Sequence, residues 1–307
     1  MAQSSKPVNP GLGETARLLR IATYASVATA LILIAGKLAA WLASGSVSVL
    51  ASLVDSLMDA AASVLNLIAV RLSLMPADSE HRFGHGKAES LAGLGQSAFI
   101  AGSAVFLVLH AVDRLLHPRA LEAVTAALGV MVFATVATVV LLLVQRHVIR
   151  RTASLAIRAD SLHYATDLLT NVTVIAALLL AQLGWQSLDP IFAMLVAAYI
   201  LYSAVRIALA AIHTLMDREL SEEVRGQIRD VALRHPQVRG LHGLRTRQSG
   251  QTPIVQLHLE FDASLSLAAA HEAADQVENA IREALPGADV IAHQDVAPPG
   301  VRTTSGA

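Results

Sequence analysis

Six apolar runs, at about residues 21–43, 47–70, 91–115, 123–145, 161–183 and 190–212, each approach the roughly 20 residues that cross a bilayer. In lipid, such runs satisfy their backbone polar groups as helices, which makes this architecture the main constraint on the fold. Composition agrees. Of 307 residues, 54% are hydrophobic and 15% charged, and the mean hydropathy is positive. The expected fold is an α-helical membrane protein with six transmembrane helices over residues 21–212. Residues 1–20 are polar, hold Lys6, Arg17 and Arg20, and read as a cytoplasmic tail rather than a signal peptide. Arg17, Arg20, Arg71, Arg82, Lys87, Arg146, Arg150, Arg151 and Arg158 fall on one side of the runs, and mainly Arg114 and Arg119 on the other. That bias places both termini in the cytoplasm. Lys37, inside the first run, reads as a side chain snorkelling to the outer interface.

The apolar runs stop at residue 213, and residues 213–297 read as a cytoplasmic α+β domain in the order α-β-β-α-β. Ser221 with Glu222 and Glu223 marks a helix start, and Pro236 its limit. "LHGLRTRQ" and "PIVQLHLEF" alternate as strands around a Ser249-Gly250 turn. An amphipathic helix over about 266–285 stops at Pro286-Gly287, and "ADVIAHQD" supplies a third strand. A three-stranded sheet with both helices on one face follows, with residues 298–307 as a disordered tail. The net charge of -1 argues against a polybasic nucleic-acid binder, and the absence of cysteine removes disulfides and thiolate metal ligands.

The second run, "ASLVDSLMDAAASVLNLIAV", carries Asp55 and Asp59. An aspartate at the centre of a membrane helix costs about 2.5–3.5 kcal/mol to insert, so both should face protein or water. Helical spacing sets them about 40° apart, on the same side as Ser48, Ser52 and Asn66. The fifth run repeats the pattern in Asp160, His163, Asp167 and Asn171. Asp59 lies about 18 Å along its helix from Arg71, and Asp167 about 14 Å from Arg158, so the two stripes reach matching depth. Asp55, Asp59, His163 and Asp167 together offer three carboxylates and an imidazole, a set suited to one tetrahedral divalent ion.

"SVSVLASLVDSLMDAAAS", "PADSEHRFGHGKAES", "RADSLHYATD", "LRTRQSG" and "VIAHQD" resemble the corresponding segments of the cation diffusion facilitator family, in particular its bacterial ferrous-iron and zinc efflux pumps, from about residue 20 to 296. The resemblance implies a homodimeric divalent-metal/proton antiporter of the bacterial inner membrane, with Asp55, Asp59, His163 and Asp167 as its transport site. It implies a second, loop-borne metal site at Asp78, His81 and His85, whose spacing of three and four lets them reach one cation, with Gly84 and Gly86 allowing tight turning. It also assigns His242, His258, His271, His293 and Asp295 to a cytoplasmic binuclear site near the dimer interface, with Gln294 as a further carbonyl donor. Strand alternation independently sets His258 off the core face and puts His293 and Asp295 on one face. Lys87 and Asp217, by position and resemblance, are expected to pair across the dimer.

Two function classes fit these ligands. One is a secondary transporter. The other is an intramembrane metal-dependent hydrolase, against which stand four protein ligands in place of three plus an open position, and the absence of an H-E-x-x-H helix. With neutral His163 the empty site carries three negative charges, so protons should replace the departing ion. Nitrogen and oxygen ligands without sulfur favour Zn(II), Fe(II), Cd(II), Co(II) or Mn(II), and the imidazole favours zinc.

Overall fold

The computed structural model describes residues 10–44, 47–116, 125–182 and 188–298. Six long helices come first: α1 (Pro10–Ser44), α2 (Val47–Ser73), α3 (Lys87–Leu116), α4 (Thr125–Thr152), α5 (Leu155–Gln182) and α6 (Leu188–Leu215). Then follow α7 (Glu222–Leu233), β1 (Val238–Ser249), β2 (Thr252–Phe261), α8 (Leu267–Ala284) and β3 (Asp289–Val296). Segments of α1, α2, α3, α4 and α6 are long and apolar enough to span a membrane, and most side chains of the C-terminal half of α5 lie outside the described residues. Leu42, Leu65, Phe106, Leu109 and Leu143 are exposed on these helices, as a lipid-facing surface requires. Arg119 and nearly all of the expected C-terminal tail lie outside the described residues.

The helices outrun the apolar runs at one end. α1 begins at Pro10, inside the expected N-terminal tail, and α4 and α5 close the expected loop between residues 145 and 161 down to Ala153 and Ser154. Packing explains the extension, because Leu19, Ala22, Val70, Val148, Ala156 and Ile157 form a buried cluster at the ends of the apolar windows and beyond them. At the joint Ala153 adopts a φ of 50°. Ser154 Oγ then caps α5 by accepting from the Ile157 amide at 3.2 Å.

The chain packs as two compact units. Among the described residues, one holds those of 16–75 and 88–212; the other holds those of 213–298 together with 10–15 and, unexpectedly, the loop 76–87. In the second unit β2 lies between β1, its antiparallel neighbour, and β3, its parallel neighbour. Ile228 and Ala232 of α7 and Ala270, Ala273, Ala274, Val277 and Ile281 of α8 cover the Val255, Leu257, Leu259 and Phe261 side of the sheet. Ser221 Oγ and Ser266 Oγ cap the two helices. Both helices therefore sit on one face, and the other sheet face carries His242, His258, Glu260, His293 and Asp295.

The loop 76–87 packs on the hairpin of the same unit. Gly86 lies against the β1–β2 turn so closely that a Cβ there would sit 2.4 Å from the Ser249 carbonyl oxygen. Phe83 stacks under the Arg247 guanidinium at 4.7 Å from the ring centroid. Lys87 Nζ meets Asp217 Oδ1 at 2.9 Å, and Arg247 meets Asp217 Oδ2 at 3.3 Å. The Lys87–Asp217 pair expected across a dimer thus closes within one chain, because residue 217 follows directly on α6 and turns through a φ of 57° toward the loop. Burial opposes the charge on Asp217, yet Lys87 and Arg247 beside it hold its carboxyl below the usual range.

Candidate metal centres

In the membrane unit, α2 and α5 bring Asp59 and His163 together, with Nε2 2.9 Å from Asp59 Oδ1 and 3.9 Å from Asp167 Oδ2. One ligand atom from each of the three lies within 4.8 Å of the others. His163 is buried between aromatic edges, its ring centroid 6.0 Å from that of Phe99 and 5.5 Å from that of Tyr164. The next turn is tied down as well: Ser63 Oγ hydrogen-bonds Tyr164 Oη at 2.9 Å and accepts from Ser26 Oγ at 3.0 Å. These contacts fix the level at which α2 and α5 meet, and so the height of the imidazole.

Asp55 does not join the three-residue group and is exposed in this arrangement. Asp160, expected on the same stripe, turns elsewhere. Fully buried, it accepts from Gln96 Nε2 at 3.2 Å and from Gln145 Nε2 at 2.7 Å, tying α5 to α3 and α4. Asn66 is buried with its amide atoms unpartnered among the described residues. The side chains of Ser48 and Asn171 lie outside the described residues. Lys37 departs from its expected course. Rather than snorkelling along α1, its ammonium donates to the Ser52 carbonyl at 3.0 Å and to Ser56 Oγ at 2.6 Å, on the α2 turn that bears Asp55.

The loop brings Asp78, His81 and His85 together within 4.8 Å. His81 Nδ1 lies 3.5 Å from Asp78 Oδ1, His85 Nε2 lies 3.3 Å from Asp78 Oδ2, and the two ring centroids are 4.5 Å apart. The turn that does this is held by Asp78 Oδ1, which accepts from the His81 and Glu80 amides at 2.6 and 2.9 Å. Those bonds, the His81 amide foremost, hold the Asp78 carboxyl below its ordinary range. Gly84, at a φ of 77°, supplies the expected tight turn. Gly86 instead serves close approach to the hairpin. His85 Nδ1 is buried and unpartnered among the described residues.

On the open face of the sheet, strand register does what spacing alone does not reveal. His242 pairs with His258 across β1 and β2, and His258 with His293 across β2 and β3, so three imidazoles form one row. Successive ring centroids are 5.0 Å apart. Asp295, two residues beyond His293, faces all three: it lies 2.8 Å from His258 Nδ1, 3.3 Å from His242 Nε2 and 3.3 Å from His293 Nε2. The His258 hydrogen bond, foremost, and the three imidazoles' charges hold its carboxyl below the usual range against an opposing effect of burial. Two further residues of this site lie outside the expected ligand set, although strand alternation puts Glu260 on the same face as His258. Glu260 Oε1 lies 2.9 Å from His242 Nδ1 and orients that ring. Gly243, in a bulge at a φ of 60°, leaves room for His258, whose Cδ2 would lie 2.9 Å from any Cβ there. His271 stands apart in the single chain: on α8, across the sheet from the row, it is exposed and 3.7 Å from Asp275. Gln294 turns its amide to the Ala292 carbonyl at 3.1 Å.

Comparison with known proteins covers nearly the whole chain. Residues 23–216 match the cation efflux transmembrane domain, and residues 220–297 match the cytoplasmic domain of cation efflux proteins. The cation-efflux pump FieF of Pectobacterium atrosepticum is 51% identical over 280 residues, spanning 91% of this chain and 93% of the relative. That of Salmonella choleraesuis is 50% identical over 279 residues, with the same coverage. Among solved structures, the cadmium form of a single-residue variant of the MamM CTD is 26% identical and covers 25% of this chain and 98% of its own, with a TM-score of 0.24.

Proposed function

We propose that this chain, which belongs to the cation diffusion facilitator family of cation-efflux proteins, exports a zinc-class divalent ion from the cytoplasm in exchange for protons. The observation that carries the reading is the Asp59–His163 contact between α2 and α5, with Asp167 beside it. At 2.9 Å, His163 Nε2 and Asp59 Oδ1 share a hydrogen bond, its hydrogen carried by the nitrogen or by the carboxyl oxygen. Coordination by both groups requires both atoms to be bare, so cargo and that hydrogen compete for the same pair. A protonated imidazole or carboxyl surrenders the hydrogen to solvent; a neutral imidazole that carries it on Nε2 shifts it to Nδ1. Removal of cargo leaves Asp59 and Asp167 beside an imidazole, with Asp55 one turn away, in a poorly solvated place, and protons relieve that charge.

In this reading Asp55, one turn along α2 from Asp59, supplies the fourth ligand as the site closes on the ion. Rocking of the helices that carry the four groups then opens the site alternately to the two sides, and inward proton flow drives export. Zinc is the favoured cargo because one imidazole among carboxylates suits it, with Fe(II), Cd(II), Co(II) and Mn(II) as competitors. The bacterial inner membrane is the proposed location, with both termini cytoplasmic. The row His242, His258, His293 with Asp295, and the loop group Asp78, His81 and His85, are proposed as further metal sites. His271, which stands apart from the row in one chain, is the member a second chain of a homodimer would deliver.

Reconstituted full-length protein tests the reading. In proteoliposomes, wild type should move zinc, and faster when a proton gradient runs opposite to the metal. Asp59→Ala and Asp167→Ala, each lacking one charged ligand of four, should lower the rate at least about a hundredfold while remaining folded. Zinc flux indifferent to a pH gradient would overturn the exchange, and wild-type rates in both variants would overturn the site.

A further inference from the structure

Lys37 raises the question of what an ammonium is doing in the middle of "LILIAGKLAAWLA". A lysine this deep ordinarily extends along its own helix to the headgroups, since that keeps its charge hydrated at little cost. Here it crosses to α2 instead, and its acceptors are the Ser52 carbonyl and Ser56 Oγ, the latter on a residue only 1% exposed. Ser52 and Ser56 flank Asp55, and Asp59 follows one turn later on the same stripe. Both acceptors are neutral groups outside the proposed ligand set, so the cation is held beside the acids by oxygens that the cargo does not need.

From this placement we infer that Lys37 is a resident counter-cation of the transport site. It balances one carboxylate when the site is empty and opposes the ion when the site is full. The inference rests on the efflux reading and assigns a role within it. A fixed positive charge near a divalent ion in a poorly screened place lowers the ion's affinity by at least about tenfold. The same charge favours the unloaded site, whose carboxylates otherwise repel one another. Release and return of the empty carrier are thus the steps Lys37 assists, while passage of the loaded carrier does not require it.

Three measurements on full-length protein test this with Lys37→Met, which keeps length and apolarity, and Lys37→Arg, which keeps charge. The first is equilibrium zinc affinity in detergent, with Asp59→Ala as the blank for the other metal sites. The second is zinc-for-zinc exchange in proteoliposomes, which cycles only the loaded carrier. The third is net zinc transport, which requires the empty carrier to return. Lys37→Met should bind zinc at least about tenfold more tightly and keep exchange within about threefold of wild type, yet lose net transport by about tenfold or more. Lys37→Arg should restore both affinity and net transport toward wild type. Unchanged affinity in Lys37→Met, or an equal fall of exchange and net flux with the Arg variant equally impaired, would show a merely structural lysine. If wild type carries no divalent ion at all, the efflux reading fails instead, and the detergent affinity still decides whether the charge acts on a bound metal.

Discussion

His163 concentrates the chemistry of the proposed transport site in one atom. Its Nε2 faces Asp59 Oδ1 at 2.9 Å and Asp167 Oδ2 at 3.9 Å, so it is at once a hydrogen-bonding group and the nitrogen a metal must take. An unperturbed imidazole titrates near about 6.5, which makes this the one proposed transport ligand with an ordinary pKa close to cytoplasmic pH. Zinc affinity of wild type should therefore weaken as pH falls from 8 to 6, by up to about tenfold per unit once the proton must be displaced. His163→Asp should flatten that dependence and move preference from zinc toward Mn(II), which suits an all-carboxylate site. Transport of both metals by both proteins at several pH values checks this. A wild type whose zinc affinity is flat, or a variant that keeps both the dependence and the preference, would remove His163 from the exchange.

At the scale of elements, the sheet's open face is a candidate metal-binding surface made by register. One residue of slip between β1 and β2 would turn His242 to the other face and break the row. The bulge at Gly243 holds the register there and clears the space that the His258 ring occupies. A fragment of residues 213–307 has a core of its own from α7, α8 and the sheet, and should fold and bind more than one zinc per chain. In calorimetry the double variant His258→Ala/His293→Ala should lose that binding. Gly243→Ala should weaken it at least about fivefold, because a side chain at positive φ costs about 1–2 kcal/mol and its Cβ meets His258. Undiminished zinc uptake by the double variant would remove the row as a site.

At the scale of the whole molecule, the loop 76–87 joins two membrane helices in sequence and yet packs within the unit of the C-terminal domain. Phe83, Gly86 and Lys87 hold it there, against Arg247, the β1–β2 turn and Asp217. Asp217 has a folded pKa below its unfolded one, so its carboxylate contributes stability above about pH 4 and loses it as pH falls through the lower folded value. The pair is well exposed, which limits that contribution to about 1 kcal/mol or less. Hydrogen exchange of residues 78–86 should accordingly speed up by no more than about fivefold in Asp217→Asn at pH 7, and wild type should approach the variant only in acid. Exchange unaltered by the substitution would mean that Phe83 and Gly86 hold the loop alone.

Much of this protein is legible from residue order because lipid and strand pleat impose simple periods. Apolar runs of bilayer length announce six helices, alternation announces three strands, and carboxylates too costly for lipid mark α2 and α5 as the faces that matter. Spacing and depth select Asp55, Asp59, His163 and Asp167, since two antiparallel stripes of known pitch meet at a computable level, and the structure gathers the last three. Other features depend on contacts between distant segments, which no local period encodes. Leu19, Val70, Val148 and Ile157 extend four helices past the apolar windows by burying one another. Asp160 leaves its stripe because Gln96 and Gln145 offer it amides. Lys87 finds Asp217 in its own chain, and Lys37 crosses to Ser52 and Ser56. Helical and strand periods fix which face a side chain shares; only the packed neighbours determine which of its possible partners it takes, because that choice is settled by distances between elements rather than along one.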